Sequence, residues 1–288
     1  MTIVSGSLDE LRREIDTIDD ALHDLIMRRA EVVRRIGQAK GGAGGSTYRP
    51  AREAQLLRRL VGRHHGPLPP STVVRFWREL MAAALRQQGD FTVAVWRDRE
   101  DGVDAEMVRQ HFGAVTPVTP HSSPAQVITA VAQASATVGV LPLPQDDDHD
   151  PWWPSLLVGA RRGAPGGESP RIVARLPFLG SAGGRAEGAF VVARGDVDAS
   201  GDDHSLIVLV CAEDASRARM QGALRDAGFV IAGHLALDRP GAQERLHMLD
   251  LAGFVLATDP RFVVVGERVG ATAIHRLGGY PTPMARTD

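Results

Sequence analysis

The sequence predicts a multidomain chain: an all-α module of three helices, then an α/β unit, then a smaller α+β unit. Three observations predict it. Apolar residues recur at steps of three and four from Leu8 to Ile36. The texture changes at Phe91 into alternating short strands and helices. The last 85 residues or so read β-α-β-β-α-β.

The first helix is expected over residues 7–40. Ser7 can cap it, and Glu10 stands three residues on, the spacing of a capping box. Leu8, Leu11, Ile15, Ile18, Leu22, Leu25, Val32 and Ile36 form a heptad-like seam. Arg29 falls where that seam calls for an apolar residue. Gly41 to Ser46 break the helix. Pro50 suits the first turn of a second helix over about 50–63. Gly66 and three prolines separate it from a third, over about 71–88, and the module ends near Gly89, giving a domain over 1–90.

A strand is expected at 91–96, a helix at 104–112, a strand at 114–118, a helix at 124–134 and a strand at 137–143. That alternation argues a small parallel unit, and with a strand at 188–194 the domain runs over 91–202. Residues 144–187 have no secure assignment beyond an apolar stretch at 171–179. The third domain, 203–288, has strands near 205–211, 229–237, 245–252 and 274–277 and helices near 215–227 and 259–272, a ferredoxin-like order.

A helix of this length would be roughly 50 Å long, against about 26 Å for a compact module of about 90 residues. Two shorter helices cannot cover its whole stripe, so a homodimer through helix 1 is expected.

Of the 33 Lys and Arg residues only one, Lys40, is a lysine. An ammonium is a compact point charge where a guanidinium is a flat fork, so a tight polar site can require the former. Lys40 lies one turn beyond Ile36 on the same face. Arg12 flanks the stripe one turn after Leu8, about 25 Å along the helix from Arg29. One chain cannot bring the two arginines to one small ligand, but an antiparallel dimer can. Arg52 and Glu53 open the second helix, and Gln88 ends the stripe of the third. Each has a plain alternative: an arginine near a seam can snorkel to solvent, Glu53 can pair with a neighbouring arginine, and a glutamine at a helix end is solvated. Together they are net positive, and buried unpaired charge is costly, so the set implies an anionic ligand.

The other chemistry-bearing residues point elsewhere. Cys211, the only cysteine, lies in an apolar run and reads as a buried small hydrophobe. The acidic run 146–150 reads as a solvated loop, with no second ligand cluster to make a metal site. His64 and His65 read as solvent-facing, and Trp152 and Trp153 as anchors of a loop on the core. The net charge of −2 excludes any global reason to bind nucleic acid or membrane. No apolar run of membrane-spanning length and no signal-peptide pattern occurs, so cytoplasmic location is expected. No cofactor and no metal are expected.

The segments LDELRREIDTIDDALHDLIMRRAEVVRRIGQAK, YRPAREAQLLRRL and FWRELMAAALRQQ resemble the all-helical class of chorismate mutases. By that resemblance, Arg29 and the partner's Arg12 hold the two carboxylates of chorismate. Lys40 and Gln88 donate to its ether oxygen, Arg52 supports the site electrostatically, and Glu53 accepts from the ring hydroxyl. Arg49 and Ala84 depart from the family, which often has an acid and a serine there. Residues 91 onward resemble the prephenate dehydratase part of bifunctional chorismate mutase–prephenate dehydratases. GVLPLPQ (139–145) matches a strand-turn beside its cleft, but GAF (188–190) stands where it has Thr-Arg-Phe, and the second lobe is largely missing. The implied unit is a truncated, inactive remnant. Residues 203–288 resemble the ACT regulatory domain, through Gly222-Ala223-Leu224, Asp238-Arg239-Pro240 and RLGGYP. There the resemblance leaves open either an aromatic amino acid ligand or a purely structural role.

The expected function is thus chorismate mutase of aromatic amino acid biosynthesis. Its rivals are a working bifunctional mutase–dehydratase and a non-catalytic aromatic-amino-acid sensor.

Overall fold

The computed structural model describes residues 7–39, 48–97, 102–146, 148, 150–157, 169–180 and 188–285. Lys40 and the glycine-rich break at 41–46 lie outside the described residues.

Helix α1 runs Leu8–Ala39. Its capping box is formed: Ser7 N donates to Glu10 Oε2 at 2.7 Å, and Glu10 N donates to Ser7 Oγ at 3.3 Å. None of its residues is buried. The seam is open to solvent, with Leu8 64%, Ile15 57%, Leu22 49% and Leu25 61% exposed. Its half-buried positions, among them Ile26, Arg29, Ala30, Val33 and Gly37, lie in the C-terminal half, where the helix meets α3.

Helices α2 (Pro50–Gly62) and α3 (Pro70–Gln87) each open on proline at the first turn, where the missing N–H costs nothing. Ala54 and Leu57 of α2 pack with Val74 and Met81 of α3, and Phe178 from the following unit closes that cluster. Arg58 ties α2 to the C-terminal part by donating to Ser200 Oγ at 2.9 Å, Asp202 O at 2.7 Å and Thr282 O at 2.9 Å. Arg49 pairs with Asp198 at 2.8 Å. The helical module is therefore fastened to the rest of the chain through α2 and α3.

The remaining elements are β1 (Val93–Trp96), α4 (Ala105–Phe112), β2 (Val118–His121), α5 (Pro124–Ala132), β3 (Val138–Pro142), β4 (Arg171–Leu176), β5 (Ala189–Ala193), β6 (Asp203–Ala212), α6 (Arg217–Asp226), β7 (Ile231–Arg239), β8 (Glu244–Ala252), α7 (Arg261–Val269) and β9 (Ala271–Pro281). They build one nine-stranded sheet in the order β2-β1-β3-β5-β4-β9-β6-β8-β7. As the alternation predicts, β1 is parallel to both β2 and β3. The order β9-β6-β8-β7, antiparallel throughout, is the ferredoxin-like arrangement.

Two expectations need correction, and one stretch without an assignment gains one. The strand expected at 114–118 begins at Val118. Gly113 ends α4 with φ of 84°, and the Thr116 hydroxyl donates back to Phe112 O, so Ala114 and Val115 lie on a turn. The unassigned stretch 171–179 contains β4, a strand between β5 and β9. The helix expected to 272 stops at Val269, because Gly270 takes a left-handed cap (φ 69°), and β9 starts at once.

The boundary expected near residue 202 is not a break in the sheet, since β4 and β9 pair in parallel where Ile172 meets Gly278. Gly278 has φ of 143°, and a Cβ there would overlap Ile172 O, so this seam requires glycine. Trp152 and Trp153 are buried as expected, Trp152 Nε1 donating to Pro142 O at 3.1 Å. Cys211 is buried. Among the described residues no group of side chains could hold a metal ion, and no helix is long and apolar enough to cross a membrane.

Candidate active site

The expected residues fall into separate environments. Gln88 caps the C-terminal end of α3, half-buried, its Nε2 donating to Ala84 O at 3.1 Å. Gly37 faces it so closely that an added Cβ would stand 3.3 Å from Gln88 Cγ. The last turns of α1 and α3 therefore meet. Arg29, two turns back along α1, is half-buried, and burial pulls its pKa down. Lys40 lies outside the described residues.

Arg12 stands apart. It is exposed and lies 3.3 Å from Asp9 one turn back, a surface pair worth little. Arg52 is exposed as well.

Glu53 pairs with an arginine, its plain alternative in the sequence, and that arginine is Arg78, which the sequence did not single out. Its Oε2 accepts from Arg78 Nη1 at 2.7 Å, and the two side chains are only 12% and 6% exposed. Burial raises the Glu53 pKa, and the Arg78 charge works against that rise. The Arg78 guanidinium lies 5.0 Å from the Phe178 ring centroid. Nearby, Tyr48 Oη and His111 Nε2 are 2.9 Å apart, and burial with the Arg78 charge holds His111 well below the usual histidine range. The signal for Arg78 was present: it falls in the helical stripe Val74, Arg78, Met81, Leu85, where a cation needs a buried partner.

In the α/β unit Gly188 packs tightly. A Cβ there would stand 2.7 Å from Leu176 O and 2.9 Å from Leu143 Cδ1. The turn after β3, with Phe190 of β5, borders a cavity of about 260 Å3 whose other wall is Ala232–Leu235 of β7. The ferredoxin-like part thus stands beside the strand-turn at 139–145.

With this geometry the helical segment defines a class. Residues 11–89 match the family model for chorismate mutase type II. More particularly, the chain resembles bifunctional enzymes. A bifunctional chorismate mutase/prephenate dehydratase of Neisseria gonorrhoeae is 40% identical over 114 residues, covering 38% of this chain and 31% of that protein. An intracellular chorismate mutase of Mycolicibacterium smegmatis is 39% identical over 54 residues, covering 19% of this chain and 52% of that protein. Among solved structures, a prephenate dehydratase from Streptococcus mutans aligns over 66% of this chain and 97% of its own, at 10% identity and a TM-score of 0.44. The chain spans 31–39% of the length of the bifunctional relatives it matches.

Proposed function

We propose that this chain is a chorismate mutase that converts chorismate to prephenate as a homodimer through α1. The observation that carries the reading is the meeting of the α1 and α3 termini at Gly37 and Gln88, inside the segment that matches the mutase family. The reaction is a unimolecular rearrangement in which an ether C–O bond breaks as a C–C bond forms. It needs no nucleophile. It needs the enolpyruvyl arm held over the ring, which arginine forks on two carboxylates achieve. It also needs donors at the ether oxygen, where negative charge grows. Arg29 and the partner's Arg12 serve the first need, and Lys40 and Gln88 the second. Arg52 adds positive potential. Arg78 occupies Glu53 Oε2, so the ring hydroxyl falls to Glu53 Oε1.

The exposed seam of α1 supports the dimer, because eight apolar side chains along one helix face are too many to leave in water. The α/β unit is read as an inactive dehydratase remnant. Gly188 supplies no hydroxyl, and its packing against Leu176 O leaves no room for a threonine. The ferredoxin-like part is read as an ACT-like domain, with an aromatic amino acid as its candidate ligand at Gly222–Leu224 and Asp238–Pro240. The test is chorismate consumption by the purified chain, with phenylpyruvate measured in the same sample. Chorismate loss without phenylpyruvate supports the reading. Phenylpyruvate would restore the bifunctional alternative, and no loss of chorismate would leave the sensor.

A further inference from the structure

A cavity of about 400 Å3 lies between the start of α3, α4 and the segment after β4. None of the residues assigned to the mutase reaction lines it. Among the described residues its charged lining is Arg75 and Arg78, with no carboxylate side chain. Arg78 forms its deep end, 5% exposed, and donates one hydrogen bond to Glu53 from behind. Arg75, one turn earlier on α3, is exposed and has no ion-pair partner among the described residues. The pair Arg78–Glu53 is neutral, so among the described residues Arg75 leaves the cavity lining with one net positive charge.

Two more features point the same way. The N-terminus of α3, a helix of 18 residues, opens into the cavity through Ser71 and Thr72, and no side chain caps it. The positive end of the helix dipole and the two hydroxyls therefore face the same space as the arginines. His111, 8% exposed and held neutral by burial, lines the opposite wall from α4. The rest of the wall is the Gln110 amide and an apolar part made by Val74, Met107, Pro177, Leu179 and the Phe178 ring. A bare inorganic anion would leave that apolar part unused.

We infer that this cavity is a binding site for a small organic carboxylate with a ring-sized apolar body, its carboxylate on Arg75, Arg78 and the start of α3. A carboxylate bound there shares Arg78 with Glu53, so the site touches the ion pair that holds Glu53. The inference does not depend on the mutase reading, since binding is measured without chorismate.

The experiment is calorimetric titration of the full chain with benzoate, its neutral counterpart benzyl alcohol, and inorganic phosphate. Benzoate is expected to bind saturably at one site per chain, benzyl alcohol not at all, and phosphate at least tenfold more weakly. Arg75→Ala should weaken benzoate about tenfold, the loss of one charge-assisted contact, with the melting temperature unchanged. Gln110→Trp, which fills the cavity mouth from α4, should abolish binding. The inference is overturned if benzoate gives no saturable heat, if phosphate binds as tightly, or if both variants bind benzoate like the parent chain.

Discussion

Gly37 of α1 rests on Gln88 of α3, with room for a hydrogen but not comfortably for a methyl group: a Cβ at Gly37 would come within 3.3 Å of Gln88 Cγ. This contact sets the distance between the last turn of α1 and Gln88. Gly37→Leu should wedge them apart. Misplacement of about 1 Å can cost on the order of a hundredfold in rate. We expect kcat for chorismate to fall by about that factor. Helical content should hold, because leucine is a far better helix former than glycine. Steady-state kinetics beside circular dichroism checks both, and an unchanged kcat would remove Gln88 from the site.

Lys40→Ala should abolish measurable mutase turnover, a loss of on the order of 100–1,000-fold for one donor to a developing oxyanion. Dimerisation should persist, because the α1 seam is untouched. Normal turnover in this variant would refute the assignment of Lys40 and favour the non-catalytic sensor.

The helical module was legible because its signals are local. Capping-box spacing, prolines at first turns and a regular seam each act within a few residues, and α1 and α2 lie within a residue or so of expectation. The stretch 171–179 was illegible for the opposite reason. β4 gains its place from β5 and β9, the latter a hundred residues away, and the local pattern carries no trace of Gly278. Glu53 shows the same limit. Its position on α2 suggested a ligand contact, but its partner Arg78 comes from α3 and its cover Phe178 from beyond β4. Pair identity across 25 and more residues is a tertiary fact, and helical periodicity alone cannot choose among candidate partners.

The Arg78–Glu53 pair should behave as a buried unit. Arg78→Met leaves a buried carboxylate without its cation and should cost about 3–5 kcal/mol of stability. Glu53→Gln with Arg78→Met removes both charges and should recover most of that loss. Urea unfolding of the two single variants and the double variant gives the coupling energy. Additive losses would show that the pair is not coupled in solution.

Acid should destabilise the fold through its histidines before its carboxylates. Burial is the largest cause holding His111 well down, His247 down and His234 down to about 4. Each is neutral in the fold but takes a proton more readily when unfolded, where the ordinary value is about 6.5. Their contribution is complete above about pH 6.5 and is lost as pH falls, for His234 through about pH 4. Glu53 acts in the opposite sense. Its raised pKa favours the protonated form in the fold, so its contribution is present below its unfolded value and is lost as pH rises. Three histidines outweigh one glutamate, so the melting temperature should drop steadily from pH 6.5 toward 4. His234→Asn should flatten that slope, and a parallel slope in the variant would show that His234 is not neutral in the fold.

The α1 seam sets the last expectation. Leu22 and Leu25 are 49% and 61% exposed in one chain, and Ile15, Ile18, Val32 and Ile36 continue the face. Fully burying a leucine contributes about 1.5–3 kcal/mol, so several such side chains from each of two helices can offset the cost of association. Leu22→Glu together with Leu25→Glu places like charges at the centre of that face in both copies. Sedimentation velocity should find the parent chain dimeric and the double variant monomeric at the same concentration. Mutase turnover should vanish with the dimer, because the proposed site takes Arg12 from the partner chain. A monomer that keeps its turnover would mean that Arg12 plays no part, and that Arg29 holds the substrate without help from a second helix.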